Sequence, residues 1–132
     1  MRDIILYTKK PINYDECVKV IIGKVESAVT NSKNYFHSNN KHFWCLDIDN
    51  EDLESSLLGF DENYIEEQKQ LLIKNVPIEN PISNLLQVHR SIVAKRLIKV
   101  LMLLHPDLYI EVNDAETWFG SAQEYLDTEF DY

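Results

Sequence analysis

The sequence has little glycine, proline and cysteine: three glycines, four prolines and two cysteines in 132 residues. So few glycines and prolines exclude a collagen-like repeat and a long low-complexity linker. Cys17 and Cys45 are separated by 27 residues, and the chain has no CxxC pair, so the common zinc and redox motifs are excluded. We therefore predict two small buried thiols in a reducing compartment.

Long hydrophobic runs are also missing. The longest apolar stretch, LIKVLMLL at residues 97–104, is interrupted by Lys99 and is far shorter than the roughly 20 residues that span a membrane. A hydrophobic content of 45% and a charged content of 27% are typical of globular chains. The length suits one ordinary domain. We expect a soluble, cytoplasmic protein with a single domain over residues 1–132 and no membrane partner.

Basic residues are missing from two long segments. Residues 44–67 contain nine acids and residues 107–132 contain eight, and neither segment contains Lys or Arg. The net charge is −9. Binding to nucleic-acid phosphates requires clustered bases, so direct nucleic-acid binding is not expected. A basic protein is the complementary partner for such a chain.

The stretch WCLDIDNEDLE at residues 44–54 has the density of carboxylates that calcium loops have. Asp47, Asp49 and Glu51 match the first, third and fifth positions of an EF-hand loop. Asp52, however, occupies the position of the turn glycine, and Leu58 occupies that of the bidentate glutamate. We therefore predict no metal site here. Acids are favoured at a helix start, which explains part of the run but not its continuation to residue 67.

Other catalytic patterns are absent. The chain has no GxSxG motif and no glycine-rich phosphate loop. His37, His42 and Cys45 have a spacing that matches no common zinc motif. We predict no catalytic residue and no cofactor, and we expect a binding protein and not an enzyme. Because 22 acids form many pairs, a small hydrolase that uses carboxylates and a divalent ion stays an alternative.

Hydrophobic periodicity predicts an α+β fold in which strands and helices do not alternate regularly. The expected architecture is a small antiparallel sheet of about four to five short strands, packed against a long central helix and several shorter helices. The predicted strands cover residues 3–7, the two arms of a hairpin within 34–48, 108–112 and 116–119. The predicted helices cover residues 13–31, 50–59, 61–75 and 85–104, with a last one starting at a Ser121–Glu124 capping box.

A resemblance to a known group rests on three features. They are the short α+β chain, the stretch FWCLDIDNED at residues 43–52 and the stretch HPDLYIEVNDAETWFGSAQEYL at residues 105–126. The chain resembles the small acidic immunity proteins of bacterial toxin–immunity systems, of the contact-dependent inhibition type. The resemblance implies a compact cytoplasmic domain that binds one cognate toxin, often a basic nuclease domain, and occludes its active or substrate-binding surface.

We interpret the two acidic segments and their aromatic residues as parts of an acidic binding face. The predicted partner-binding residues are Trp44, Asp47, Asp49, Glu51, Asp52, Glu54, Asp61, Glu62, Asp114, Glu116 and Trp118. A phage-encoded inhibitor that mimics nucleic acid would also need an acidic face, so this alternative stays open beside the immunity protein.

Overall fold

The computed structural model describes residues 1–31, 33–39 and 43–130, and within them the chain forms seven strands and five helices. The strands are β1 (Arg2–Thr8), β2 (Ala28–Asn31), β3 (Tyr35–Ser38), β4 (Trp44–Glu51), β5 (Ile82–Val88), β6 (Tyr109–Asn113) and β7 (Trp118–Ser121). The helices are α1 (Tyr14–Ile21), α2 (Leu53–Ser56), α3 (Glu62–Asn75), α4 (Ser91–Leu104) and α5 (Ala122–Leu126).

All seven strands join one antiparallel sheet in the order β2-β3-β4-β5-β1-β6-β7. Its four middle strands follow a β-α-β-β-α-β connectivity, in which α1 leads towards β4 and α4 leads from β5 to β6. The β2–β3 hairpin and β7 extend the sheet on its two sides. The predicted antiparallel sheet with helices is confirmed, but four to five strands is too few.

Helices α1, α4 and α5 cover one face of the sheet and form the hydrophobic core with it. Every second strand residue points into this core, for example Ile4 and Leu6 of β1 and Leu86 and Val88 of β5. The facing helices supply apolar residues at three- and four-residue spacing. The opposite face of the sheet has none of these three helices on it, as is common in antiparallel sheets.

The prediction of one long helix over residues 85–104 is wrong in its first part. Residues Ile82–Val88 form β5, in which every second residue is buried, and a turn at residues 89–90 separates it from α4. The neighbouring pair Leu85 and Leu86 fits a helical as well as a strand pattern, because apolar neighbours do not distinguish the two periods. The central helix is therefore no longer than α3, with 14 residues in each.

The predicted helix over residues 13–31 is also too long. Asn13 caps it as expected, since its side chain accepts an N–H of the first turn at 3.0 Å, but the helix ends at Ile21. Gly23 then adopts a φ of +80°, which is the left-handed region that glycine favours. Residues Ala28–Asn31 form the edge strand β2, in agreement with the β-branched residues within them.

Several local predictions are confirmed. β3 and β4 form the predicted hairpin, with Phe36 opposite Leu46, although part of its expected turn at 38–41 lies outside the described residues. The capping box at Ser121 is present at the start of α5. Cys17 and Cys45 are both buried and free.

None of the helices in the described ranges is long and apolar enough to cross a membrane.

Candidate functional site

The sheet face opposite α1, α4 and α5, called the open face below, carries acids and aromatic rings. Its acidic and aromatic strand residues are Asp3, Asp47, Asp49, Glu111, Tyr7, Tyr35, Tyr109 and Phe119. Among the described strand residues that point to this face, none is Lys or Arg. The open face is therefore negative in charge and only partly polar.

One row of side chains crosses the middle of the open face. In strand register, Asp47 lies opposite Leu85, Leu85 opposite Ile5, and Ile5 opposite Glu111. Neighbouring strands are about 4.8 Å apart, so the backbone positions of Asp47 and Glu111 lie roughly 14 Å apart, on either side of an apolar centre. Partial burial and the nearby charge of Asp49 raise the pKa of Asp47. This row combines charge at its ends with apolar surface between them.

The carboxylate of Glu111 lies in a partly buried position beside Tyr7. The Tyr7 hydroxyl donates to Glu111 Oε1 at 2.7 Å, and the Tyr7 side chain is 6% exposed. Burial raises the pKa of Tyr7 well above its usual range, and the charge of Glu111 adds to this effect. Burial also raises the pKa of Glu111, while the hydrogen bond from Tyr7 lowers it. A cation brought to Glu111 would replace the hydration that this carboxylate has lost.

A bulge at the end of β4 positions two further acids. The register with β5 shifts between Asp47 and Glu51, and Asn50 adopts a φ of +47°, which asparagine tolerates better than most residues. Asn84 is 3% exposed, and its Oδ1 accepts the backbone N–H of Asp49 and of Asn50, each at 2.8 Å. This buried amide therefore fixes the backbone that carries Asp49 and Glu51.

The segment from Asp52 to Val76, called the flap below, contains α2 and α3 and lies over the end of the open face where β4 ends and β5 begins. Neither helix contains a buried residue. Leu57 and Val76 are the buried residues of the flap, with 8% and 4% exposure, and Leu57 also faces the open face. The flap is therefore attached by few buried contacts compared with the other helices.

A groove of about 460 Å³ lies between the flap and the open face. The sheet side of the groove is lined by Ile5, Leu85 and Glu111, and the flap side by Leu71. The exposed Asp49 and Glu51 lie at its rim. Its volume falls in the range of pockets that bind small groups. Acids at the rim and at the sheet side, with apolar walls between them, suit an elongated cationic group.

The outer surface of the flap exposes large apolar side chains. Leu58 and Ile73 are 78% and 73% exposed. Phe60 and Tyr64 are also exposed, and their ring centroids lie 5.0 Å apart. Phe60 and Tyr64 thus form an exposed aromatic pair, and aromatic residues are enriched in protein contact sites.

The two tryptophans predicted to contact a partner differ in how far they are buried. Trp44 is 1% exposed in the core, so the prediction that its side chain contacts a partner is wrong. Trp118 is half-buried and packs edge-on against Tyr125 and Phe130, with centroid distances of 5.9 and 5.7 Å. A Cβ at Gly120 would lie 2.3 Å from the Trp118 ring, so this glycine allows the ring to cover the backbone.

Several of the acidic residues predicted to bind a partner lie at the N-termini of helices. Asp52 caps α2 by accepting the N–H of Ser55 at 2.7 Å, and this hydrogen bond lowers the pKa of Asp52. Asp61 caps α3. Glu54 and Glu62 lie exposed in the first turns of the same helices. Their charges complement the helix dipoles and remain on the flap surface.

The predicted contacts Asp114 and Glu116 lie at the other end of the sheet. They belong to the turn between β6 and β7, where Asp114 forms an ion pair with Arg2 at the start of β1. Glu51 lies opposite Ser83, near the end of the sheet that the flap covers. The structure therefore does not bring these two turn acids together with Asp49 and Glu51.

Tyr7 and Glu111 were not among the residues predicted from the sequence to bind a partner. The alternation of polar and apolar residues in 109–113 is the signal that could have placed Glu111 on an open face, whereas the consecutive Ile4, Ile5 and Leu6 give no such signal for Tyr7. In the described part of the chain, no group of three or more His, Cys, Asp or Glu side chains is arranged to hold a metal ion.

Comparison of the chain with protein-family models, curated proteins and solved structures finds no match. The class of protein is therefore defined by its architecture alone. It is an antiparallel sheet with one helix-covered face and one acidic open face under a two-helix flap.

Proposed function

We propose that this protein is a binding protein of the toxin–immunity type, which holds a basic cognate toxin on its open face and flap. The observation that carries the proposal is the open face itself, where carboxylates flank apolar and aromatic side chains, and none of the described strand residues that point to it is Lys or Arg. A nuclease domain is the expected partner, because enzymes that act on nucleic acids bind phosphates with clustered Lys and Arg.

The distribution of charge over the molecule supports this orientation. Arg96 and Lys99 of α4 and Lys19 of α1 are exposed on the outer side of the helical layer, which faces away from the sheet. The same helices also expose Asp15, Glu16 and Glu124, so the charge of the helical layer is mixed, whereas the described strand residues of the open face include acids and no Lys or Arg. Opposite fields steer two proteins into one relative orientation and speed their association.

The proposed mechanism is occlusion of the toxin. Carboxylates such as Asp49 and Glu51 pair with the cations that otherwise hold the phosphates of the substrate. The apolar row at Leu85 and Ile5 and the exposed rings of the flap contribute buried area, which slows dissociation. No chemical step is required, so the protein acts as a stoichiometric inhibitor.

The alternation of charge and apolar surface favours a protein-type contact over mimicry of nucleic acid. A mimic has to present negative charges in a continuous row, as phosphates do. On the open face, Asp47 and Glu111 are instead separated by Leu85 and Ile5. This arrangement resembles an interface with a charged rim and an apolar centre.

The proposal is tested by measuring binding of the purified chain to the product of the neighbouring toxin gene, by surface plasmon resonance at several salt concentrations. We expect the on-rate to fall with added salt, and charge reversal at Asp49 and Glu51 together to lower it at least about tenfold at low salt. Inhibition of the toxin should be lost in parallel.

The matched control is charge reversal at Asp15 and Glu129, two exposed acids outside the flap and the sheet, which changes the net charge equally. Both double variants are also compared at about 150 mM salt, where the Debye length is about 8 Å, and there the on-rate of the control should change at most about twofold. An equal loss in both double variants would assign the effect to net charge. Unchanged kinetics in the Asp49 and Glu51 variant would refute the proposed face.

A further inference from the structure

We propose that the groove between the flap and the open face receives one long cationic side chain of the partner, an arginine, whose guanidinium binds Glu111. This inference rests on the proposed function and deepens it by assigning the central contact. Charge complementarity supports the choice of occupant, because Asp49, Glu51 and Glu111 line the groove, and none of its lining residues is Lys or Arg.

The dimensions and walls of the groove fit this occupant. A volume of about 460 Å³ accommodates a single side chain with room for water, whereas a folded element would not enter it. Ile5 and Leu85 on the sheet side and Leu71 on the flap side form apolar walls for an aliphatic stem. Arginine buries its methylene groups against such surface while its head reaches a polar group.

The receiving carboxylate has free capacity for the guanidinium. Tyr7 donates one hydrogen bond to Glu111 Oε1 at 2.7 Å, and an ionised carboxylate accepts about four hydrogen bonds in total. The Tyr7 hydroxyl also restrains the position of the carboxylate before the partner arrives, which lowers the entropic cost of binding. Arginine is preferred to lysine here, because its planar fork can bind a carboxylate with two parallel hydrogen bonds.

The inference can be tested without the partner by NMR titration of the isotope-labelled chain with butylguanidinium, a probe that carries the end of an arginine side chain. We expect shifts confined to the amides of residues around the groove, and weaker shifts with butylammonium. Butylurea has a similar shape but no charge, so it should produce almost none. Glu111→Gln should weaken butylguanidinium binding at least about tenfold.

The matched control is Glu67→Gln, an equal change at an exposed position of α3 that does not line the groove. It should alter binding less than about twofold. If Glu111→Gln does not fold, Asp49→Asn at the exposed rim provides the second test, with an expected weakening of a few-fold. Equal effects of Glu67→Gln and Glu111→Gln, or equal binding of butylurea, would overturn the assignment.

The outcomes separate this inference from the proposed function. A chain that binds its toxin but shows no groove shifts with butylguanidinium refutes the groove assignment and leaves the immunity function standing. A chain that binds butylguanidinium in the groove but not the neighbouring gene product supports the cation site and refutes the immunity function.

Discussion

Asn84 shows how one buried polar residue shapes the rim of the groove. It is 3% exposed and lies on the helix side of β5, where the nearest strand residues on the same side, Ile82 and Leu86, are apolar. Its side chain accepts two backbone N–H groups of the β4 bulge and donates to Asn50 Oδ1 at 3.0 Å. An apolar residue of the same shape would leave the bulge without these partners, since buried backbone groups must be paired.

We expect Asn84→Leu to lower the free energy of unfolding by about 2 kcal/mol, because two backbone donors lose their acceptor. Urea denaturation followed by circular dichroism measures this change. Asn113→Leu, at an exposed position of β6, is the control and should change stability by less than about 0.5 kcal/mol. A loss below that value for Asn84→Leu would show that the bulge finds other partners.

The partial burial of Glu111 favours binding of a cation but lowers the stability of the free protein at neutral pH. Its carboxylate is ready for a cation because burial has removed part of its water, and the same burial raises the pKa of Glu111 in the free protein. A raised folded-state pKa means that the folded chain takes up this proton more readily than the unfolded chain. The contribution to stability is present below the ordinary glutamate pKa of about 4.3 and is lost as the pH rises through the raised value.

Glu111→Gln is therefore expected to raise the melting temperature at pH 7, and this gain should disappear near pH 4, where the wild-type carboxyl is itself neutral. Thermal unfolding of both chains at the two pH values measures the effect, with Glu67→Gln as the exposed control. A variant that is less stable than wild type at pH 7 would mean that the hydrogen bond from Tyr7 to the charged carboxylate outweighs its burial.

At the scale of elements, the flap differs from the helices of the core in how it is held. α3 and α4 both contain 14 residues, but α4 has five buried residues and α3 has none. Helices of this length owe most of their stability to packing of one face, and not to intrinsic propensity. The flap is thus the part of the site that can move when a partner enters the groove.

We expect amide hydrogens of α3 to exchange with solvent markedly faster than those of α4, by local opening and not by global unfolding. Hydrogen–deuterium exchange with NMR or mass spectrometry, on the free chain at one pH, compares the two helices directly. Exchange in α3 should slow when butylguanidinium or the partner fills the groove. Equal protection of both helices in the free chain would contradict the loose attachment of the flap.

Elements with clear local signals could be predicted from the sequence, whereas their assembly could not. The caps at Asn13 and Ser121 and the hairpin of β3 and β4 depend on neighbours in the chain, and they were found. The sequence predicts a helix where most of strand β5 lies, because its adjacent leucines satisfy both periods, and only pairing with β1 and β4 decides between them. The site was found in part for the same reason: Asp49 and Glu51 follow each other closely in sequence, while Glu111 joins them only through strand order.

At the scale of the whole molecule, the charge is unbalanced as well as negative. The net charge is −9, and the ion pairs that join described residues are exposed ones, such as Arg96 with Glu26 at 3.9 Å. Exposed pairs contribute little stability, so screening them removes little. The flap and open face contain more acids than bases, the flap bases being Lys69 and Lys74, and we expect the net repulsion to oppose the folded state when no partner is bound.

Added salt is therefore expected to stabilise the free chain. From about 10 mM to about 150 mM NaCl the Debye length falls from roughly 30 Å to roughly 8 Å, so repulsion between surface acids is largely screened. Thermal unfolding at these concentrations should show a rise in melting temperature, and the double variant Asp49→Asn with Glu51→Gln should show a smaller one. The same screening weakens association with a basic toxin, so salt should act with opposite sign on the two measurements. A melting temperature that falls with added salt would show that attractive ion pairs dominate the surface. The acidic face would then lack the unpaired negative charge that binding of a basic toxin requires.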